Sequence, residues 1–131
     1  MKPNPVVWFE IYVQDMPRAK AFYETVLETT LEKLPTPPGD LEDTLEMWAF
    51  PMSQDSQEQG SAGALCKMEG CPSGGGGTLV YFTCDDCAVE AARAAQNGGS
   101  IFREKMPIGQ FGFISLVTDT EGNMIGLHSM Q

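Results

Sequence analysis

Asp15 and Asp86 stand 71 residues apart, and each lies between a β-prone run and a helical pattern. Before Asp15, "VVWFEIYV" (6–13) is rich in β-branched and aromatic residues and predicts a strand. After it, Ala19, Phe22, Tyr23, Val26 and Leu27 recur at i, i+3, i+4, i+7 and i+8, which predicts one apolar helix face. An Asp at that junction caps a helix N-terminus, and Pro17 is tolerated in the first turn. Before Asp86, "TLVYFTC" (78–84) predicts a second strand. A helix over about 86–97 follows and stops at Asn97-Gly98-Gly99, a C-capping signal. Ala21 and Ala92 also match at the same offset.

Further strands are expected at "LEMWAF" (45–50), "AGALCKM" (62–68), "SIFREK" (100–105), "FGFISLVT" (111–118) and "MIGLHSM" (124–130). The last two are joined by the turn "DTEGN" (119–123). "TPPGD" (36–40) reads as a loop and "PMSQDSQEQGS" (51–61) as a long polar turn. "EGCPSGGGG" (69–77) reads as a flexible linker, because four consecutive glycines carry nothing to pack. A phosphate-cradling loop would need a helix directly after the glycines, and a strand follows instead. Each half thus reads β-α-β-β-β. A repeated order of elements predicts an α+β chain of two modules, about 5–70 and about 77–131, joined by the Gly-rich linker in a single domain.

The chain has 131 residues, enough for one core and short for two ordinary domains. Its 18 acidic residues outnumber 8 basic ones, for a net charge of −10. That balance repels phosphate backbones and anionic membranes, and it favours a cationic ligand. Acidity that simply maintains solubility is the plainer alternative. No segment approaches the ~20 apolar residues of a membrane span. The N-terminal "MKPNPVVWFEIYVQD" carries prolines and Glu10 where a signal peptide needs an apolar run, so a cytoplasmic location is expected.

The segments "EIYVQDMPRAKAFYETVL" and "FGFISLVTDTEGNMIGLHS", set in a duplicated βαβββ frame, resemble the vicinal-oxygen-chelate superfamily of glyoxalase I, bleomycin-resistance proteins and extradiol dioxygenases. The resemblance covers nearly the whole chain. It implies two modules whose mixed sheet curls into a cup with helices outside, a small-molecule ligand within, and often a homodimer. It also implies one divalent metal held by His, Gln or Glu. Carried over by motif, the ligand positions fall on Trp8, Ala64, Leu79 and Gly126. None of these side chains ligates a metal, so no cofactor is expected at the usual site.

Side chains alternate faces along a strand. If Trp8 faces the cup, so do Glu10 and Tyr12; Leu79 brings Tyr81 and Thr83, Gly126 brings His128, and Ala64 brings Cys66. The other face then carries Phe9, Ile11, Val13, Val80, Phe82, Cys84, Ile125 and Leu127, which are apolar as a helix-packed face must be. Glu10, Cys66, Tyr81 and His128 each lie two residues past an empty metal position. Three readings stay open. These groups line a wet cup without shared chemistry. Or they form a metal-free site in which Glu10 and His128 are the catalytic acid–base pair and Trp8, Tyr12, Cys66 and Tyr81 bind the ligand. Or Glu10, His128 and Cys66 form a displaced metal site of a lyase or isomerase. A drug-sequestering cup of the bleomycin-resistance type is the non-catalytic alternative. Whether the chain is an enzyme is left open by its sequence.

Four cysteines, Cys66, Cys71, Cys84 and Cys87, have a C-x4-C-x12-C-x2-C spacing that superficially suits zinc. The second pair straddles a strand end and a helix start, however, and has no turn of its own. Cys84 is expected to act as a small apolar residue on the helix-packed face. Cys87, preceded by Asp85 and Asp86, is a poor redox nucleophile. Both are expected to be unbridged and without metal.

Overall fold

The structure, a computed structural model, describes residues 5–36, 44–52 and 60–131. The chain forms two compact units, Trp8–Thr78 and Met1–Val7 with Leu79–Gln131. The loop expected over 36–40 and the polar turn over 51–61 lie largely outside the described residues.

The first module contains β1 (Val6–Tyr12, with its first two residues counted in the other unit), α1 (Met16–Val26), β2 (Glu32–Leu34), β3 (Leu45–Ala49) and β4 (Ala62–Met68). Its strand order is β2-β3-β4-β1. β1 runs parallel to β4, and the other pairs are antiparallel. The second module contains β5 (Thr78–Thr83), α2 (Cys87–Gln96), β6 (Ser100–Pro107), a 3-10 turn (Gly109–Phe111), β7 (Phe113–Thr118) and β8 (Met124–Ser129). Its order is β6-β7-β8-β5, with β5 parallel to β8 and the rest antiparallel. The two halves have the same topology, strand for strand, and the α+β βαβββ repeat is present in both.

Each helix starts where its Asp predicts. The Asp15 carboxylate accepts from the Arg18 N–H at 3.0 Å, and Asp86 accepts from the Ala88 N–H at 3.1 Å. A cap of this kind contributes about 1 kcal/mol. Met16 and Cys87 are the first helical residues, and both are buried in the core beneath their helix. In the first module that core is Val13, Met16, Leu31 and Leu65, with Ile11, Ala19, Tyr23, Trp48 and Phe50 against it. In the second it is Cys87, Ala91, Val117 and Leu127, with Phe82, Cys84 and Ile125 among its neighbours. Cys84 therefore packs as an apolar residue, and all four cysteines are free thiols.

Three features differ from the sequence reading. The apolar stripe of α1 is only partly used. Ala19 and Tyr23 pack on the core, whereas Phe22, Val26 and Leu27 are 59%, 59% and 55% exposed. Strand β2 was not expected, because three residues are too few to show a period. The glycine run forms a hydrogen-bonded turn: Gly77 N–H donates to the Gly74 carbonyl at 2.9 Å, and the Gly77 carbonyl accepts from Tyr12 N–H at 2.7 Å. Gly74 and Gly76 have φ near +85°, a conformation that glycine adopts without a Cβ penalty.

Candidate functional site

The faces opposite the helices carry the polar residues singled out above. In the first module, strand alternation puts Trp8, Glu10 and Tyr12 on one side of β1. The indole N–H of Trp8 donates to Glu10 Oε2 at 3.1 Å, and the Tyr12 hydroxyl donates to Glu10 Oε1 at 2.8 Å. Each carboxylate oxygen thus receives a donor two residues away along the same strand. Glu10 is 8% exposed, so the carboxylate is held in a desolvated place by its own neighbours. Cross-strand register pairs Glu10 with Ala64 and Tyr12 with Cys66 on β4, and Cys66 with Met47 on β3. Met47, Ala64 and Cys66 form a buried cluster with Trp8, Tyr12, Leu34 and Leu45 against it.

Cys66 lies on the expected face but is fully buried. Burial pushes its thiol well above the ordinary cysteine range, and the Glu10 carboxylate and Cys71 add to the rise. The sulfur sits 3.9 Å from the Ala64 carbonyl. A protonated, enclosed thiol is a poor nucleophile. Burial likewise pushes Cys84 up to about 12, and neighbouring Glu90 adds to the rise.

In the second module, register pairs Tyr81 with Gly126 and Thr83 with His128 across β5 and β8. It places Leu116 and Ile114 of β7 beside Gly126 and His128, and Arg103 and Met106 of β6 beyond them. The Tyr81 ring lies over Gly126, where any Cβ would overlap the ring carbons. His128 is half-buried, and its Nε2 is 2.6 Å from the Phe111 carbonyl oxygen. The sequence reading did not find Met47, Ile114 or Leu116, although alternation along β3 and β7 contains them. Arg103 was not legible, because register shifts flank it in β6 and break the alternation.

A divalent metal of the kind the fold implies does not fit the four motif positions. Trp8 offers only an N–H donor, which is spent on Glu10. Ala64 is fully buried and Leu79 is 7% exposed, and neither has a donor atom. At Gly126 a ligating side chain would displace the Tyr81 ring. Among the described residues no three His, Cys, Asp or Glu side chains gather as metal ligands would.

The architecture finds its counterpart in one family. Residues 6–127 match the model of the Glyoxalase/Bleomycin resistance protein/Dioxygenase superfamily. The chain belongs to this superfamily. Among solved structures, this member of the glyoxalase superfamily is similar in fold to methylmalonyl-CoA epimerase from Mycobacterium tuberculosis. The TM-score is 0.65 at 14% identity, covering 97% of this chain and 88% of that one. It is similar too to a Streptomyces coelicolor methylmalonyl-CoA epimerase in complex with 2-nitronate-propionyl-CoA, with a TM-score of 0.63, 14% identity and 96% coverage of both chains. A hypothetical protein from Bacillus halodurans C-125 aligns with a TM-score of 0.68 at 13% identity, covering 99% of this chain and 96% of that one. No curated protein matches the chain in sequence. No helix among the described residues is long and apolar enough to cross a membrane.

Proposed function

We propose that this superfamily member binds a small organic molecule on the sheet faces opposite its helices, without the family's usual metal, and that Glu10 and His128 are its acid–base groups. The observation that carries this reading is the Glu10 carboxylate, 8% exposed and accepting from both Trp8 and Tyr12. Burying a carboxylate costs several kcal/mol unless it is hydrogen-bonded, and a strand surface gains nothing in packing from a Glu that an apolar residue would not supply. The cost is consistent with a use. In the first module, Trp8 and Tyr12 supply aromatic area and hold the carboxylate in one orientation, so that it faces a ligand without rearranging. In the second module, Tyr81 supplies a ring and a hydroxyl, and His128 an imidazole with one donor and one acceptor nitrogen. Cys66 lies behind this surface, in the buried cluster.

The ligand class that fits best is cationic or hydrogen-bond-donating and partly aromatic. The chain carries a net charge of −10, which draws cations toward it. Sequestration of such a molecule without turnover is the second reading, favoured by the same carboxylate–indole pair. Assembly as a homodimer and a cytoplasmic location belong to the same proposal. The exposed Phe22, Val26 and Leu27 of α1 supply apolar surface for self-association.

The test uses the chain's two tryptophans. Trp48 donates to Glu46 and lies under Lys20 Nζ at 3.5 Å, on the helix face of its strand, so Trp8 is the reporter of the opposite face. Titration with a panel of cationic aromatic molecules is expected to give saturable fluorescence quenching that Trp8→Phe removes. Quenching by no member of the panel, or quenching unchanged in Trp8→Phe, defeats the binding reading. One tightly retained equivalent of divalent metal in the purified protein defeats its metal-free form.

A further inference from the structure

We infer that the turn between β6 and β7 sets the tautomer of His128, so that Nδ1 is the nitrogen that exchanges protons. A carbonyl oxygen only accepts hydrogen bonds. At 2.6 Å from the Phe111 oxygen, Nε2 must therefore carry the hydrogen. In neutral imidazole the other nitrogen then holds the lone pair, and that nitrogen is Nδ1. When a proton arrives at Nδ1 the Phe111 contact is kept and strengthened, because both ring nitrogens are donors in the cation. Proton exchange at Nδ1 thus proceeds without moving the ring.

The local chain is built to deliver that carbonyl. Ile108 N–H donates to the Gly112 carbonyl at 2.9 Å, and Gly112 N–H donates to the Gly109 carbonyl at 3.2 Å, which closes the turn on itself. Gly109 and Gly112 have φ of +68° and +98°, in the left-handed region. At Gly112 a Cβ would overlap the Ser129 carbonyl oxygen of β8, so the turn approaches the end of β8 only because that residue has no side chain. Ser129 is the neighbour of His128 in sequence. Close approach at Gly112 and the contact at Phe111 are therefore one arrangement. Strand pairing anchors it, since Phe113 pairs with Ser129 and Ile114 with His128. Phe111 acts through His128 and is a positioning residue, contributed by its backbone.

This inference rests on the acid–base reading of His128, but its test needs no ligand. The chain has one histidine, so a long-range proton–nitrogen spectrum of uniformly labelled protein reports His128 alone. Recorded above the ordinary imidazole titration range, the spectrum is expected to show the Nε2–H pattern, with Nδ1 shifted as an unprotonated nitrogen. An Nδ1–H pattern, or an averaged pattern of both forms, overturns the inference. In Gly112→Ala the turn is forced from β8, and the spectrum is expected to move toward the averaged form; an unchanged Nε2–H pattern in a folded variant overturns the role of the turn. Should that variant fail to fold, His128→Gln and His128→Asn separate the two nitrogens. Gln presents an N–H donor near the Nε2 position and is expected to keep the melting temperature close to that of the unaltered protein. Asn reaches only the Nδ1 position and is expected to lower it by a few degrees. Equal melting temperatures for the two variants count against the contact. Failure of ligand quenching with the expected tautomer intact would reject the binding reading and leave the tautomer assignment standing.

Discussion

The two modules share a topology and a cap, yet they use the faces opposite their helices in different ways. In the first, Glu10 is fixed by side chains of its own strand, and the cluster beside it is closed: Ala64 and Cys66 are fully buried and Met47 is 8% exposed. In the second, the polar group is His128, half-buried and held by one backbone carbonyl from a turn. The position two residues before His128 is a glycine covered by Tyr81, whereas its counterpart Ala64 is buried in a cluster with Met47 and Cys66. One module thus holds a buried carboxylate, and the other holds an imidazole against a turn. A duplicated frame therefore preserves strand order and capping, which depend on backbone hydrogen bonds, while the side chains on one face diverge in chemistry.

Removing Glu10 is the most severe way to test this contrast. In Glu10→Ala, the two part-buried hydrogen bonds from Trp8 and Tyr12 to the carboxylate are lost, at about 1.5–3 kcal/mol for each bond to a charged group. Urea melts are expected to show a loss of about 3 kcal/mol, on the same scale. His128→Ala frees one carbonyl on an exposed turn and is expected to cost about 1 kcal/mol. A larger loss at His128 than at Glu10 would reverse the account of which module is locked.

Gly126→Ala comes next. The added methyl meets the Tyr81 ring, and overpacking of this kind costs about 1–3 kcal/mol. Tyr81→Ala combined with Gly126→Ala is expected to lose less than the two single changes added together. Additive losses in the melts would separate the pair.

The smallest effects are chemical. Cys84 in the folded chain titrates near 12, above its ordinary value of 9.0, and Cys66 is raised as well. A raised thiol favours the folded state fully below pH 9.0. That contribution declines as the unfolded chain begins to ionise and is gone once pH passes the folded value. Stability measured from pH 8 upward is therefore expected to fall, and the fall is expected to shrink in Cys84→Ala. In native protein at pH 8, Cys71 is expected to be the fast thiol toward a disulfide reagent, because Cys66 and Cys87 are fully buried and Cys84 resists ionisation. Rapid modification of Cys66 would show that the buried cluster of Met47, Ala64 and Cys66 opens.

Much of the fold was legible because its signals are local. Asp15 and Asp86 cap helices by reaching two or three residues ahead, and the alternation in β1 and β5 separates polar from apolar faces within a few positions. Where the reading missed, the deciding contact was distant or the signal too short. Strand β2 has three residues and exists through pairing with β3. Phe22, Val26 and Leu27 share a stripe with Tyr23, yet the sheet beneath α1 reaches only part of it. The glycine run is composed like a tether and becomes a turn because β1 offers it the Tyr12 N–H.

By itself the amino-acid sequence determined the duplicated order of elements, the capped helix starts, the strand faces that carry Glu10 and Cys66 in one module and Tyr81 and His128 in the other, and the lack of ligating side chains at the motif positions. These follow from backbone geometry with periods of two and of about 3.6 residues, which any short window of sequence displays. Only the tertiary structure decided that Cys66 is sealed within a cluster, that a tyrosine ring fills the space above Gly126, and that a carbonyl 17 residues upstream holds one nitrogen of His128. Each of these depends on which strands pair and in what register. Register arises from packing across the whole sheet, and no local window contains it.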